Sequence, residues 1–182
     1  EITASDTSHW AFAAVSHPVP PSDPTAWSAG PIDTFIAAAH QQHQLEPVGP
    51  ANRRTLVRRL YLNLLGLPPT PSQVNEFLED THPAAWTRLI DRLLASRHYG
   101  ERWGRHWLDL ARYSDTQGGS CDVPIPEARF YRDYVIDAFH VDKPYDQFIQ
   151  EQIAGDILAA QTPNQGSNQR IIATGFVGLS IR

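Results

Sequence analysis

The chain has 182 residues with 41% hydrophobic and 19% charged content, enough for one domain with its own core, or for a domain plus an arm. Its formal charge of -5 argues against general affinity for nucleic acid or anionic membranes, and no run approaches the roughly 18 apolar residues that would span a bilayer. One cysteine and no methionine exclude an internal disulfide and any thioether ligand, and no C-x-x-C-H motif for covalent haem attachment is present. The chain starts at Glu1 without a signal-peptide pattern, so it is expected to be a processed form or one piece of a longer protein.

Residues 1–30 read as an extended arm lying across the domain. Pro18, Pro20, Pro21 and Pro24 forbid regular helix, while Trp10, Phe12 and Trp27 supply rings to bury. Pro31 opens a helix whose Ile32, Phe35, Ile36 and Ala39 share a face. A second helix runs from about Asn52, with Leu56, Val57, Leu60 and Leu64 inward and Gly66 as its C-terminal cap. Thr70-Pro71-Ser72-Gln73 is a capping box with proline at the first helical position. Another helix starts near Pro83 and carries Trp86, Leu89, Ile90, Leu93 and Leu94.

The next helix, from about Tyr99, holds the main functional candidates. Trp103, Trp107, Leu110 and Ser114 recur at i, i+4, i+7 and i+11, which predicts one buried stripe. His106, Asp109 and Tyr113 form a second stripe beside it, placing ionisable groups next to the indoles, where burial would require each to find a partner. Gly118, Gly119, Pro124 and Pro126 make residues 116–126 a loop. Phe130, Tyr131, Tyr134, Val135 and Phe139 then mark a helix, and Pro144 starts another with Tyr145, Phe148, Ile149, Gln152 and Ile153 on one face. The apolar tail 171–181 reads as a last helix or a short strand. With no alternating run long enough to anchor a sheet, the expectation is an all-α orthogonal bundle of about six to eight helices over residues 31–182.

His106 has two readings: a metal ligand or proton carrier oriented by Asp109, or a satisfied core histidine holding two helices in register. Trp103 and Trp107 stack on a sugar or porphyrin in the first reading and are plain core in the second. Arg105, Asp109, Arg112 and Asp115 are spaced to pair along one helix, and Arg129, Arg132 and Asp133 can extend the network; it either locks helices together or cradles an anion. Arg53, Arg54, Arg58 and Arg59 read as a solvated or paired face. Cys121 has no sequence neighbour that would lower its pKa, and no phosphate-binding loop, G-x-S-x-G or H-E-x-x-H motif occurs.

Three runs carry a resemblance: NRRTLVRRLYLNLLGLPPTPSQVNEFL, RLIDRLLASRHYGERWGRHWLDLARYSD and FYRDYVIDAFHVDKPYDQFIQEQIAGD. Together with the opening HWAF, the PID of the first helix and the late ATGF, they make the chain similar to the planctomycete cytochrome-c-associated domain, a family of unknown activity. The resemblance implies a fragment of a large exported protein, periplasmic or extracellular, with a cytochrome-c domain before this region and a second uncharacterised domain after it. It further implies haem c attached outside this chain, soon after the stretch matching Gly175 to Leu179. On that reading the segment supports electron transfer, with His106 as ligand, Trp103, Trp107 and Arg112 at the cofactor, and Asp109 and Tyr113 behind them. Its partners would be the rest of the parent polypeptide, cytochrome domains or a redox protein. The loop from Gln117 to Glu127, with Cys121, departs from the family pattern. The alternative reading is a non-redox glycan-binding or scaffold domain; a hydrolase or oxidoreductase using Asp109 and His106 ranks behind both.

Overall fold

The computed structural model describes residues 9–23, 27–117, 122–163 and 166–179. Glu1, Pro24, Gly118, Gly119 and Cys121, named above, lie outside them, as do the last two positions of the 171–181 tail. The chain divides into two compact units, Glu1–Pro50 and Ala51–Arg182.

In the first unit, a short 3-10 turn at Trp10–Phe12 and an irregular proline-rich stretch precede α1 (Pro31–Gln42), with proline at its first position as expected. Ala37 is the buried residue of α1. Ile32, Phe35 and Ile36 remain exposed, so the expected inward face is not closed. The Trp27 ring packs on His40 at 5.5 Å between centroids.

The second unit is helical, and among the described residues it has no strand. Its helices are α2 (Arg53–Leu65), α3 (Pro71–Glu79), α4 (Ala85–Leu94), α5 (Arg97–Leu110), α6 (Ala128–His140), α7 (Tyr145–Gln161), α8 (Ser167–Ala173) and α9 (Gly175–Leu179). The apolar tail resolves as the two short helices α8 and α9. The only pairing across the 116–126 loop among the described residues is an isolated bridge, Thr116 to Pro124.

Local sequence sets most of these ends. Asn52 caps α2 by accepting the Thr55 N–H, and Gly66 closes it in a left-handed conformation (φ 70°) that a side chain would strain. Thr70 and Gln73 form the expected capping box on α3. Helices α5 and α6 end alike. The Tyr113 N–H reaches the Leu108 carbonyl and the Lys143 N–H reaches the Ala138 carbonyl, both at 2.9 Å, with Arg112 and Asp142 in the left-handed position between. This double-bonded C-terminal turn fixes where the residues after each helix emerge.

Two hydrophobic clusters hold the unit. Val57, Tyr61, Phe77, Ala85, Leu89 and Leu93 join α2, α3 and α4. At the edge of this cluster the Arg53 guanidinium lies over the Phe77 ring at 4.2 Å and donates to the carbonyls of Phe77 and Asp80, so one member of the expected basic face is paired. The second cluster joins α5 to α8 through Leu108, Ala111, Tyr131, Tyr134, Val135, Ala138, Phe148 and Ala173.

The stripe assigned to α5 needs correction. Its buried residues are Gly100, Gly104 and Leu108, followed by Ala111. A Cβ at Gly100 would sit 2.5 Å from the Ile136 carbonyl oxygen, so α5 and α6 meet backbone to backbone. A contact that close has no room for an indole. Trp103 is therefore displaced to the flank, 37% exposed, and Leu110 points outward, 74% exposed. Ser114 is exposed too.

Candidate functional site

Glycine at the α5–α6 contact divides the tryptophan helix into separate flanks, and the predicted site residues divide with it. His106 is exposed, its ring edge-on to Trp103 at 5.3 Å between centroids. Asp109 is exposed and accepts from Arg105 Nε at 2.9 Å, a surface pair one turn apart. Arg112 is exposed in the left-handed turn after α5 and makes no ion pair among the described residues. The enclosed imidazole and carboxylate expected from the second stripe are thus solvated. The periodicity was right, but the helix is rotated, because glycines rather than indoles face its neighbour.

Asp109 and Tyr113 line a polar groove of about 410 Å³ beside α5, shared with Arg105, Asp115 and Arg132. The Tyr113 hydroxyl donates to Asp115 Oδ1. Burial, reinforced by that bond, pushes its pKa up to about 12. Arg132 pairs with Asp133 at 3.0 Å and lies 3.9 Å from Asp115. This is the helix-tying version of the expected arginine–carboxylate network.

Trp107 alone of the predicted residues faces a second cavity, an open cleft of about 440 Å³ between α5, the end of α6 and the start of α7. Its walls include Tyr99, Phe139, Lys143, Tyr145 and Phe148. The Trp107 ring meets Phe148 edge-on at 4.9 Å between centroids, and Phe139 meets Phe148 at 6.0 Å.

Behind this wall lies a polar network that sequence periodicity did not reveal. Trp107 Nε1–H donates to the Tyr131 hydroxyl and to Gln152 Oε1, each at 3.0 Å, and the Tyr131 hydroxyl donates to the same Gln152 oxygen at 2.6 Å. Indole nitrogen can only donate, so the amide orientation follows. Gln152 Nε2 is then buried without a hydrogen-bond partner among the described residues. Tyr131 is pushed up to about 12, chiefly by burial and against the lowering effect of the Trp107 bond.

A second network stands next to it. Glu151, with its side chain 14% exposed, accepts from the Tyr134 hydroxyl at 2.7 Å and from Lys143 Nζ, while Arg170 Nε approaches its other oxygen at 3.8 Å. Burial, then the Glu151 hydrogen bond, raises the Tyr134 pKa. The Lys143 ammonium also lies 4.7 Å from the Tyr134 ring centroid. The one lysine of the chain is thereby held in the cleft wall. In the sequence, only the isolated lysine within DKPYD and the polar Gln152 on an apolar face hinted at these networks.

The fit of a haem can be tested on these residues. Neither cavity is lined by a histidine, and His106 borders neither. Among the described residues no three His, Cys, Asp or Glu side chains gather as a metal-ligand set. The residues present do not form a haem pocket around His106. No helix among the described residues is long and apolar enough to cross a membrane.

Comparison with known proteins places the sequence but names no activity. No curated protein and no solved structure matches the chain. A family model does match, over residues 31–182, and by it the chain belongs to PSCyt2, a protein family of unknown function (DUF1549).

Proposed function

We propose that the chain is a helical ligand-binding module of a cytochrome-associated protein, and that its working surface is the aromatic cleft of α5, α6 and α7. The observation carrying this reading is the clamped indole. Trp107 presents its ring to an open cavity while Tyr131 and Gln152 consume its N–H, so the cleft offers aromatic surface in a fixed orientation. Preorganised rings favour binding because little conformational freedom is left to lose. The one amine in the cleft wall, Lys143, is held by Glu151, so the reading favours binding over nucleophilic catalysis.

Electron transfer, in this proposal, belongs to the parent protein. A haem c attached outside this segment would carry it in the periplasmic or extracellular space, with cytochrome domains or a redox protein as partners. The family name supports that association. The chain's own part is recognition.

Two measurements test the reading. In a fragment screen by amide NMR, ring-bearing compounds should shift signals of residues 138–148 and the Trp107 indole; shifts confined elsewhere would refute the cleft as the working surface. Titration with a haem-c peptide should leave the Soret spectrum unchanged by His106→Ala. A low-spin spectrum that His106→Ala abolishes would instead restore His106 as the ligand.

A further inference from the structure

We infer that the aromatic cleft takes a saccharide ring that carries no anionic group, gripped by its C–H faces on the aromatic wall and by its hydroxyls at a rim of Asp142, Tyr99 and Tyr145. The inference rests on the cleft being the working surface and adds the chemistry of its occupant.

Charge narrows the choice first. Asp142 lies at the cleft, exposed, and its carboxylate has no ion pair or hydrogen bond among the described residues. An anion entering the cleft meets that charge, because the nearest ammonium, Lys143, is already matched by Glu151. A cation is drawn to Asp142 and meets no unmatched ammonium, since Lys143 is taken by Glu151, so charge excludes only anions. The occupant therefore carries no net negative charge.

Polarity narrows it again. A purely apolar ring would cover the Asp142 carboxylate and two phenol hydroxyls without giving them partners, and burying unpaired polar groups is costly. Neither the Tyr99 nor the Tyr145 hydroxyl has a hydrogen bond among the described residues, and Tyr145 is exposed at the first position of α7. A sugar ring matches this set. Its axial C–H groups lie against aromatic rings, and its equatorial hydroxyls donate to a carboxylate and exchange bonds with phenols.

The backbone holds this rim in place. Asp142 sits in the left-handed position (φ 51°) of the turn that closes α6. Aspartate and asparagine tolerate that conformation better than most side chains, although glycine is the usual occupant. A residue with a carboxylate at a position where glycine is easier is consistent with use of the carboxylate.

Amide NMR on the full chain tests the proposal. The probes are glucose, galactose, mannose, xylose, N-acetylglucosamine and their α- and β-linked disaccharides, with glucuronate and indole as contrasts. At least one neutral saccharide should shift residues 138–148 and the Trp107 indole N–H. Asp142→Asn keeps the left-handed turn and removes the charge, and it should weaken binding about tenfold, as expected for losing a charged hydrogen bond. Tyr145→Ala, at an exposed position, should weaken it as well. Shifts with indole and none with any saccharide would overturn the ligand class while leaving the cleft as a binding surface. No shifts with any probe would overturn both. Glucuronate binding as tightly as glucose, or Asp142→Asn binding unchanged, would overturn the assignment of the rim.

Discussion

Alanine substituted at Gly100 and at Gly104 should change stability in opposite directions, although both positions face α6 from the same side of α5. At Gly100 a methyl group would lie 2.5 Å from the Ile136 carbonyl oxygen, 3.1 Å from His140 Cβ and 3.2 Å from the His140 nitrogen. Two of those three atoms are backbone, so relief requires α6 itself to move. At Gly104 the same group would meet Ile136 Cα, Ile136 Cγ1 and Val135 Cγ1, all at 3.5 Å, which is ordinary contact. Replacing a mid-helix glycine by alanine gains about 1 kcal/mol in helix propensity at either site. Overpacking against backbone costs about 1–3 kcal/mol, and the upper end applies at Gly100. Gly100→Ala should therefore lose about 1–2 kcal/mol net, and Gly104→Ala should gain about 0.5–1 kcal/mol. Urea unfolding followed by far-ultraviolet circular dichroism measures both. Equal midpoints, or a more stable Gly100→Ala, would refute the backbone contact between α5 and α6.

Tyr113 and Tyr131, both raised to about 12, should stay protonated at pH 11, where an ordinary tyrosine is mostly ionised. Their folded values exceed the unfolded one, so their stabilising contribution is complete below pH ~10 and lost as pH rises toward 12. Absorbance at the phenolate band, compared in native and urea-unfolded chains, checks this; native titration centred at the ordinary value would contradict it. Glu151→Gln leaves Lys143 and Arg170 without their shared carboxylate and should cost about 2–3 kcal/mol, read as a lowered melting temperature. An unchanged melting temperature would mean that the cluster is solvated and contributes little.

Chain ends and caps were legible in the sequence because they depend on adjacent residues. Pro31, the Thr70–Gln73 box and Gly66 each act within one turn, and the structure has all three. The choice between helix and strand for the tail was open because a short apolar run fits either. The rotation of α5 was misread for a different reason. Hydrophobic periodicity turns the largest apolar side chains inward, whereas a close helix contact is made by the smallest. The pattern Gly100-x-x-x-Gly104 lay in plain view beside Trp103 and was the better guide. The partners of Gln152 and Glu151 were not legible, since they sit on α5, α6, α8 and, for Lys143, the turn between α6 and α7, and no spacing along one helix announces a partner elsewhere. The break in α7 at Ala154 (φ −135°) also left no trace in composition, although Gly155 beside it marks where α7 meets the Arg170 carbonyl.

The solitary lysine gives the fold its own chemical reporter. Acylating reagents need a free, deprotonated amine, and Lys143 spends its amine on Glu151 with only 20% of its side chain reachable. Side-chain acylation should therefore be slow in the native protein and accelerate when the corner between α6 and α7 loosens. Mass spectrometry of the peptide that holds Lys143 would then time that opening without any engineered label.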